Sequence, residues 1–311
     1  MELTEQLKRK FLKDFNLSYS ITKEPYFSNA IQVLGYEKQL LMFQKFISKF
    51  SNVEELYDSM DSIFGNKSKD GKLIEYIKQN PLYTTVFQDT AFYNDFLLPN
   101  AKYNKISNLY SNNNVGKIYI SIDLKEANFQ MFKLFKIIKT NNYKEFIRLF
   151  TNEEYFWNTK QARQIVFGQL NPKRQQKYQR YVMLRLYDLL VANFKAYYFT
   201  SDELLCEIEY NDTSQIIIDI NELIINDKTL NTLDFHINTF ELKVLKTESG
   251  FYYYKHYDTK PNKPKGVSKS EYLEVYKLIN DIPVTDLDLY TIINTGETKR
   301  VAKLEPLQII K

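Results

Sequence analysis

Three acids in this chain stand where carboxylates do metal chemistry. Asp123 closes the run KIYISID, residues 117–123, which is β-branched and aromatic. Asp202 and Glu203 stand side by side between AYYFT and LLCEIEY, at the expected tip of a hairpin. Hairpin tips ordinarily favour Gly or Asn, so paired acids there suggest a bound cation as an alternative to simple solubility. Hard ions such as Mg²⁺ take oxygen ligands, keep several waters and bridge substrate phosphates. Two of them roughly 3.5–4 Å apart activate an attacking hydroxyl and stabilise a leaving oxygen. If the strand ending at Asp123 lies beside the hairpin, Asp123 and Asp202 meet at one sheet edge, with Glu203 assisting. Side chains alternate along a strand, which favours Asp202 over Glu203 as the ligand. The competing role for Asp123 is to cap a following helix.

A triphosphate held beside such ions needs cations on its outer oxygens, and a forked arginine holds two at once. From Lys160 to Arg180 every charged residue is basic: Lys160, Arg163, Lys173, Arg174, Lys177 and Arg180. The last three of these recur at roughly helical spacing. We expect the segment to contact nucleotide or nucleic-acid phosphates, although charge runs more often form a solvated helix face. A second basic stretch, Lys255, Lys260, Lys263, Lys265 and Lys269, is interleaved with Tyr252, Tyr253, Tyr254 and Tyr257. That composition suits single-stranded nucleic acid, whose bases stack while its phosphates pair. The plainer expectation puts Tyr252 to Tyr254 in a β core and Lys260 to Lys269 in a solvated loop.

These residues need elements to hold them. From Leu3 to about Tyr110 apolar residues recur every three or four positions, as in LTEQLKRKFLKDF and EKQLLMFQKFISKF, which predicts helices. Asp123 ends a predicted strand whose faces are both apolar enough for burial. A helix is predicted over 126–139, with Ala127, Met131, Leu134 and Ile138 on one stripe. Another is predicted over 175–194, with Val182, Leu186, Leu189 and Leu190 towards the core. The segment CEIEYNDTSQIIIDI suggests a second hairpin around Asn211-Asp212, with Asp212 and Asp219 as candidate accessory acids at the surface. Beyond Leu230 come β-like runs, FHINTFELKVL and GFYYYKHYD, then a helix, EYLEVYKLIN, and a hairpin signal at Thr295-Gly296. Three regions result: a helical 1–112, a central 113–230 with a basic insertion at 140–175, and a β-rich 231–311.

Bulk properties narrow the class. The chain has 311 residues, 44% hydrophobic and 26% charged, within the ordinary globular range. A net charge of +4 permits a nucleic-acid partner without requiring one. One cysteine excludes an internal disulfide framework and fits a reducing, intracellular compartment. With only two histidines the usual structural zinc site is out of reach. Cys206, His236 and His256 are read as structural. No signal-peptide core and no run of about 20 apolar residues is present, so a soluble protein without membrane attachment is expected. Abundant Lys, Asn, Ile and Tyr against 8 Gly and 8 Pro suggest an A/T-rich genome, as in many viruses.

Short motifs carry a resemblance. YISIDLKEANFQMF resembles the first motif of palm-domain polymerases, in which a strand-end Asp binds metal together with the next backbone carbonyl, here that of Leu124. FTSDELLCEI resembles the hairpin motif bearing the second carboxylate, and KQARQIVFG, 160–168, is similar to the nucleotide-contacting motif of the fingers. The tRNA-histidine guanylyltransferase family, also a palm fold, has a similar strand-Asp-x-x-x-Phe arrangement and a Ser-Asp-Glu hairpin. Leu124 stands where that family usually has Gly, and the separation of Asp123 from Asp202 is longer. The resemblance covers about residues 117–220. It implies an α+β protein whose central palm-like antiparallel sheet has helices packed on one face, and a metal site of Asp123, the Leu124 carbonyl and Asp202.

The resulting expectation is a metal-dependent nucleotidyltransferase, or small polymerase-like enzyme, using two Mg²⁺ or Mn²⁺ ions. Its partners would be nucleic acid and a nucleoside triphosphate, with a protein partner or oligomer completing the site. Two alternatives stand beside it: a two-metal ribonuclease-H-like nuclease, and a non-catalytic nucleic-acid-binding or viral assembly protein.

Overall fold

The computed structural model describes residues 2–66, 68–94, 108–191, 195–200, 202–209, 213–292, 297–304 and 306–310. The N-terminal region folds as α1 (Glu5–Asp14), α2 (Tyr26–Val33), α3 (Glu37–Ile47), α4 (Val53–Phe64), α5 (Lys72–Lys78), α6 (Pro81–Tyr83) and α7 (Thr90–Asn94), with a π turn at Thr84–Gln88. A spacing of four puts Leu7 and Phe11 of α1, and Leu56, Met60 and Phe64 of α4, into the core. Both helices begin on a polar cap. The Thr4 hydroxyl accepts from the Leu7 N–H, and the Asn52 side chain from the Glu55 N–H.

The sheet then begins with β1 (Ile118–Leu124), followed by α8 (Ala127–Leu134), α9 (Tyr143–Arg148), α10 (Glu154–Asn158), α11 (Lys160–Gly168) and α12 (Pro172–Leu190). A hairpin of β2 (Lys195–Phe199) and β3 (Glu203–Ile208), helix α13 (Thr213–Asn226) and strand β4 (Phe235–Thr247) complete the central unit. In space the strands lie in the order β2-β3-β1-β4, each antiparallel to its neighbour. This is a split β-α-β arrangement, in which each helical connection passes over the sheet between strands that are not neighbours. The sheet continues through β5 (Gly250–His256) and β6 (Lys263–Pro264). Helix α14 (Tyr272–Ile279) and a separate pair, β7 (Tyr290–Ile292) with β8 (Thr298–Arg300), follow. Strand β9 (Pro306–Ile310) returns to pair with the end of β4. The protein is α+β.

Alternation divides the sheet into two faces. Ile120, Ile122, Leu124, Leu204 and Cys206 face one way, into a large core shared with α8, α12, α13 and the N-terminal helices. The other face carries Tyr119, Leu205, Phe240 and Leu242, which form a smaller cluster with Leu109. Asp123, Glu203 and Lys255 follow this second face by register: Asp123 pairs with Glu203 and His236, and Leu242 pairs with Lys255.

Several expectations are corrected. The run TSQIIIDINELIIN is helix α13, not the arm of a second hairpin. Ile220 and Ile224 are buried, with Ile216, Ile217 and Leu223 packed beside them, and that spacing is helical despite β-branched residues that favour strands. The proposed turn at Asn211-Asp212 lies outside the described residues, as do Ser201 and Thr295-Gly296; Asp219 is exposed. Helix α8 stops at Leu134, short of 139. Lys136 adopts φ 56°, and the Ile137 N–H donates 2.9 Å to the Phe132 carbonyl, a Schellman closure that Gly would have announced and Lys does not. Helix α12 begins at Pro172, three residues earlier than expected, with the Asn171 side chain accepting from the Arg174 N–H. Strand β4, which follows the boundary expected between 230 and 231, is the direct neighbour of β1 in the sheet.

Candidate active site

Asp123 is held at the mouth of a cleft by the strand that precedes it. Tyr119, Ile120 and Ile122 are fully buried, so β1 cannot shift without exposing them. Helix α8 begins only at Ala127, with Glu126 at its cap position, so Asp123 is not the helix cap and its carboxylate is left for the cleft.

The hairpin brings the second acid. The Thr200 N–H donates 2.9 Å to the Glu203 carbonyl, and the Thr200 hydroxyl accepts from the Glu203 N–H at 2.9 Å. The turn is thus closed by a threonine rather than a glycine. The Leu124 N–H then donates 2.8 Å to the Asp202 carbonyl, fastening the hairpin tip to the end of β1. Asp123, Leu124 and Asp202 line one cleft of about 400 Å³. Its opposite wall comes from α11, through Lys160, Arg163, Gln164 and Phe167.

Electrostatics marks Asp123. Burial first, then the charges of Asp202 and Glu203, push its carboxyl from 3.8 up to about 6, while Lys255 and Lys160 pull it down. Two carboxylates so close, with one resisting ionisation, make a place where an added cation is favourable. The donor chemistry is of the type a hard ion takes: the two carboxylates and the backbone of Leu124 in the cleft lining offer oxygen donors. Among the described residues no group of three or more His, Cys, Asp or Glu side chains is arranged to hold a metal. Glu203 does not complete such a group. Its carboxylate accepts from the Ser121 hydroxyl at 2.6 Å and forms an ion pair with Lys255.

The basic residues expected at the site divide. Lys160 and Arg163 line the cleft. Arg163 donates 2.7 Å to Glu126, whose backbone is left-handed at φ 53°. Arg174 is placed elsewhere: it donates 2.7 Å to the Asp89 carbonyl and 3.4 Å to that of Val86, closing the end of the π turn. Helical spacing from Arg174 extends along α12, away from the cleft lining, and Lys173, Lys177 and Arg180 are exposed there.

Residues that local reasoning assigned to other roles join from the far strands. Lys255 is 8% exposed and lies 4.6 Å from the Phe240 ring centroid. Burial, then Glu203 and Asp123, push the Tyr257 phenol up to about 12. Lys260 stands 3.8 Å over the Tyr257 ring, and its ammonium is lowered by burial and by Lys255 and Lys263 but raised by Asp123. Lys260 is exposed in the bend after β5, as the solvated-loop expectation has it, and Lys263, Lys265 and Lys269 are exposed too; what that expectation missed is that Lys260 lies within electrostatic reach of Asp123. Tyr252 and Tyr254 are buried, as expected of a β core. His236, directly opposite Asp123 in the register, is exposed. Only the alternation of YYYKHYD hinted that Lys255 would share a face with Asp123, and the register that makes it so is not local.

Among the described residues no helix is long and apolar enough to cross a membrane. No family model, no curated protein and no solved structure matches the chain.

Proposed function

We propose that the cleft is the active site of a metal-dependent nucleotidyltransferase with a palm-like sheet, acting on nucleic acid with a nucleoside triphosphate. One observation carries the reading: the Leu124–Asp202 backbone hydrogen bond joins two acids distant in sequence at one strand end, opposite Lys160 and Arg163. Asp123, Asp202 and the Leu124 carbonyl would hold Mg²⁺ or Mn²⁺. The ion would supply Lewis-acid stabilisation of the transferring phosphoryl group and a more acidic attacking hydroxyl.

The rest falls to the chain's own side chains. Lys160 and Arg163 neutralise phosphate oxygens; one Arg163 nitrogen is committed to Glu126, which fixes the fork and leaves its other donors for the ligand. Lys255 keeps Glu203 bound to the sheet. Lys260 and Tyr257 place a cation and a ring on the open face beside Asp123, where a strand end would approach.

The test is incorporation of a labelled nucleotide into nucleic acid with Mg²⁺ or Mn²⁺, by the wild type and by Asp123→Asn and Asp202→Asn. Loss in both variants with unchanged circular dichroism supports the reading. Undiminished incorporation in both, or metal-dependent strand degradation without added triphosphate, overturns it, the latter in favour of a nuclease.

A further inference from the structure

Helix α11 has a cavity on each side. Lys160, Arg163, Gln164 and Phe167 face the acidic cleft, whereas Gln161, Ala162 and Ile165 line a second cavity of about 380 Å³ between α1, α4 and α10. This volume is within the roughly 300–1,000 Å³ of small-molecule sites, which are apolar hollows with a few fixed polar groups.

Its construction fits that description. Tyr155, Phe156, Phe64 and Met60 make an apolar floor. A polar group is locked into the wall: Asp14 and Lys10 pair at 2.9 Å with side chains only 5% and 9% exposed, and the Tyr155 hydroxyl donates to Asp14. That pair cancels its own charge. At the rim remain Arg9 and Lys13 against Asp61, which is already engaged by the Asn66 amide at 2.6 Å. Arg9 meets the exposed Glu5 at 3.3 Å, a contact worth little in water. Tyr57 is 36% exposed and forms part of the lining. An apolar floor, an accessible ring and a cationic rim select a small molecule with a flat apolar body and one anionic group.

We propose that this cavity is a second ligand site, for an amphipathic molecule with one anionic group, of the aromatic carboxylate or nucleoside monophosphate type, seated against the back of α11. The site stands independently of what the acidic cleft does.

The experiment measures binding of 2-naphthoate and of adenosine 5′-monophosphate to the full chain by calorimetry, with hydrogen exchange to locate them. The expected result is saturable binding of at least one probe, with slowed exchange in α1, α4 and α11. The double charge reversal Arg9→Glu/Lys13→Glu, at exposed positions that leave the fold intact, is expected to weaken it at least about tenfold, the loss of one charge-assisted contact. Ala162→Phe, which fills the hollow, is expected to abolish it. Binding of naphthoate alone identifies an aromatic acid as the source, and binding of the monophosphate with the same protection identifies a nucleotide. Binding of neither probe, protection confined to other elements, or affinity unmoved by the charge reversal overturns the assignment.

Discussion

Replacing Asp123 by Asn should make the metal-free protein more stable, and only at the pH where the aspartate ionises. In the fold its carboxyl is raised from 3.8 to about 6, chiefly by burial and then by Asp202 and Glu203. Below the lower value both folded and unfolded chains are protonated and the group costs nothing. Above the upper value both are ionised, and the fold carries the whole penalty. The gap between 3.8 and about 6 corresponds to about 3 kcal/mol at 1.36 kcal/mol per decade. Asp123 is only partly buried, so solvent screening reduces this to about 1–2 kcal/mol. For a chain of this size the expected rise in Tm is about 2–3 °C. The assay is thermal unfolding of wild type and Asp123→Asn from pH 3.5 to 8 in the presence of a chelator. The advantage of the variant should be near zero at the acid end, grow between pH 4 and 6, and stay level above. Adding Mn²⁺ at pH 7.5 should then stabilise the wild type by about 1.4 kcal/mol at ten times the dissociation constant, and the variant far less. A variant that is less stable at pH 8, or a difference that does not change with pH, would refute the electrostatic account of the cleft.

Three further substitutions test the architecture. Lys255→Met should destabilise by about 2 kcal/mol in chemical denaturation, because Glu203 loses its partner at a site where the Lys255 side chain is buried; Lys255→Met/Glu203→Gln should recover part of that loss, and additive losses would deny the coupling. Arg174→Ala should lower stability by about 1 kcal/mol through the lost bond to the Asp89 carbonyl, since the Val86 carbonyl keeps the Tyr178 hydroxyl, while leaving Mn²⁺ affinity at the acids unchanged. Weaker Mn²⁺ binding in that variant would return Arg174 to the site. Asn221→Pro should cost about 3 kcal/mol or more if residues 213–226 are helical, as loss of helical signal and of Tm would show; a neutral result would favour the strand that the Ile run suggests.

The parts of the site that were legible in sequence are the parts that depend on neighbours along the chain. Strand β1 is announced by alternating Ile residues, and its closing acid is visible at once. The hairpin tip was legible from the polar interruption between two apolar runs, although its closure by Thr200 was not. What misled was equally local. Ile216–Ile218 look like a strand because β-branched residues favour one, and only the recurrence at Ile220, Leu223 and Ile224 reveals the helix. Lys136 hides a helix end because its left-handed conformation usually belongs to Gly. Arg174 belongs to an all-basic segment, yet it turns to carbonyls whose positions depend on how the π turn packs against α12.

From the order of residues alone followed an α+β chain, a strand ending in Asp123 and an acidic hairpin at Asp202-Glu203. Tertiary structure decided that β1 would lie between β3 and β4, so that Asp123 meets Glu203 on one side and His236 on the other. It also decided that Lys255 would take Glu203 away from the cleft and that α11 would bring Lys160 and Arg163 to face the acids. The division has a physical cause. Periodicity and turn chemistry act over a few residues, whereas strand pairing, ion-pair partners and the energetic cost of crowding two carboxylates depend on distances that exist only once the chain has folded.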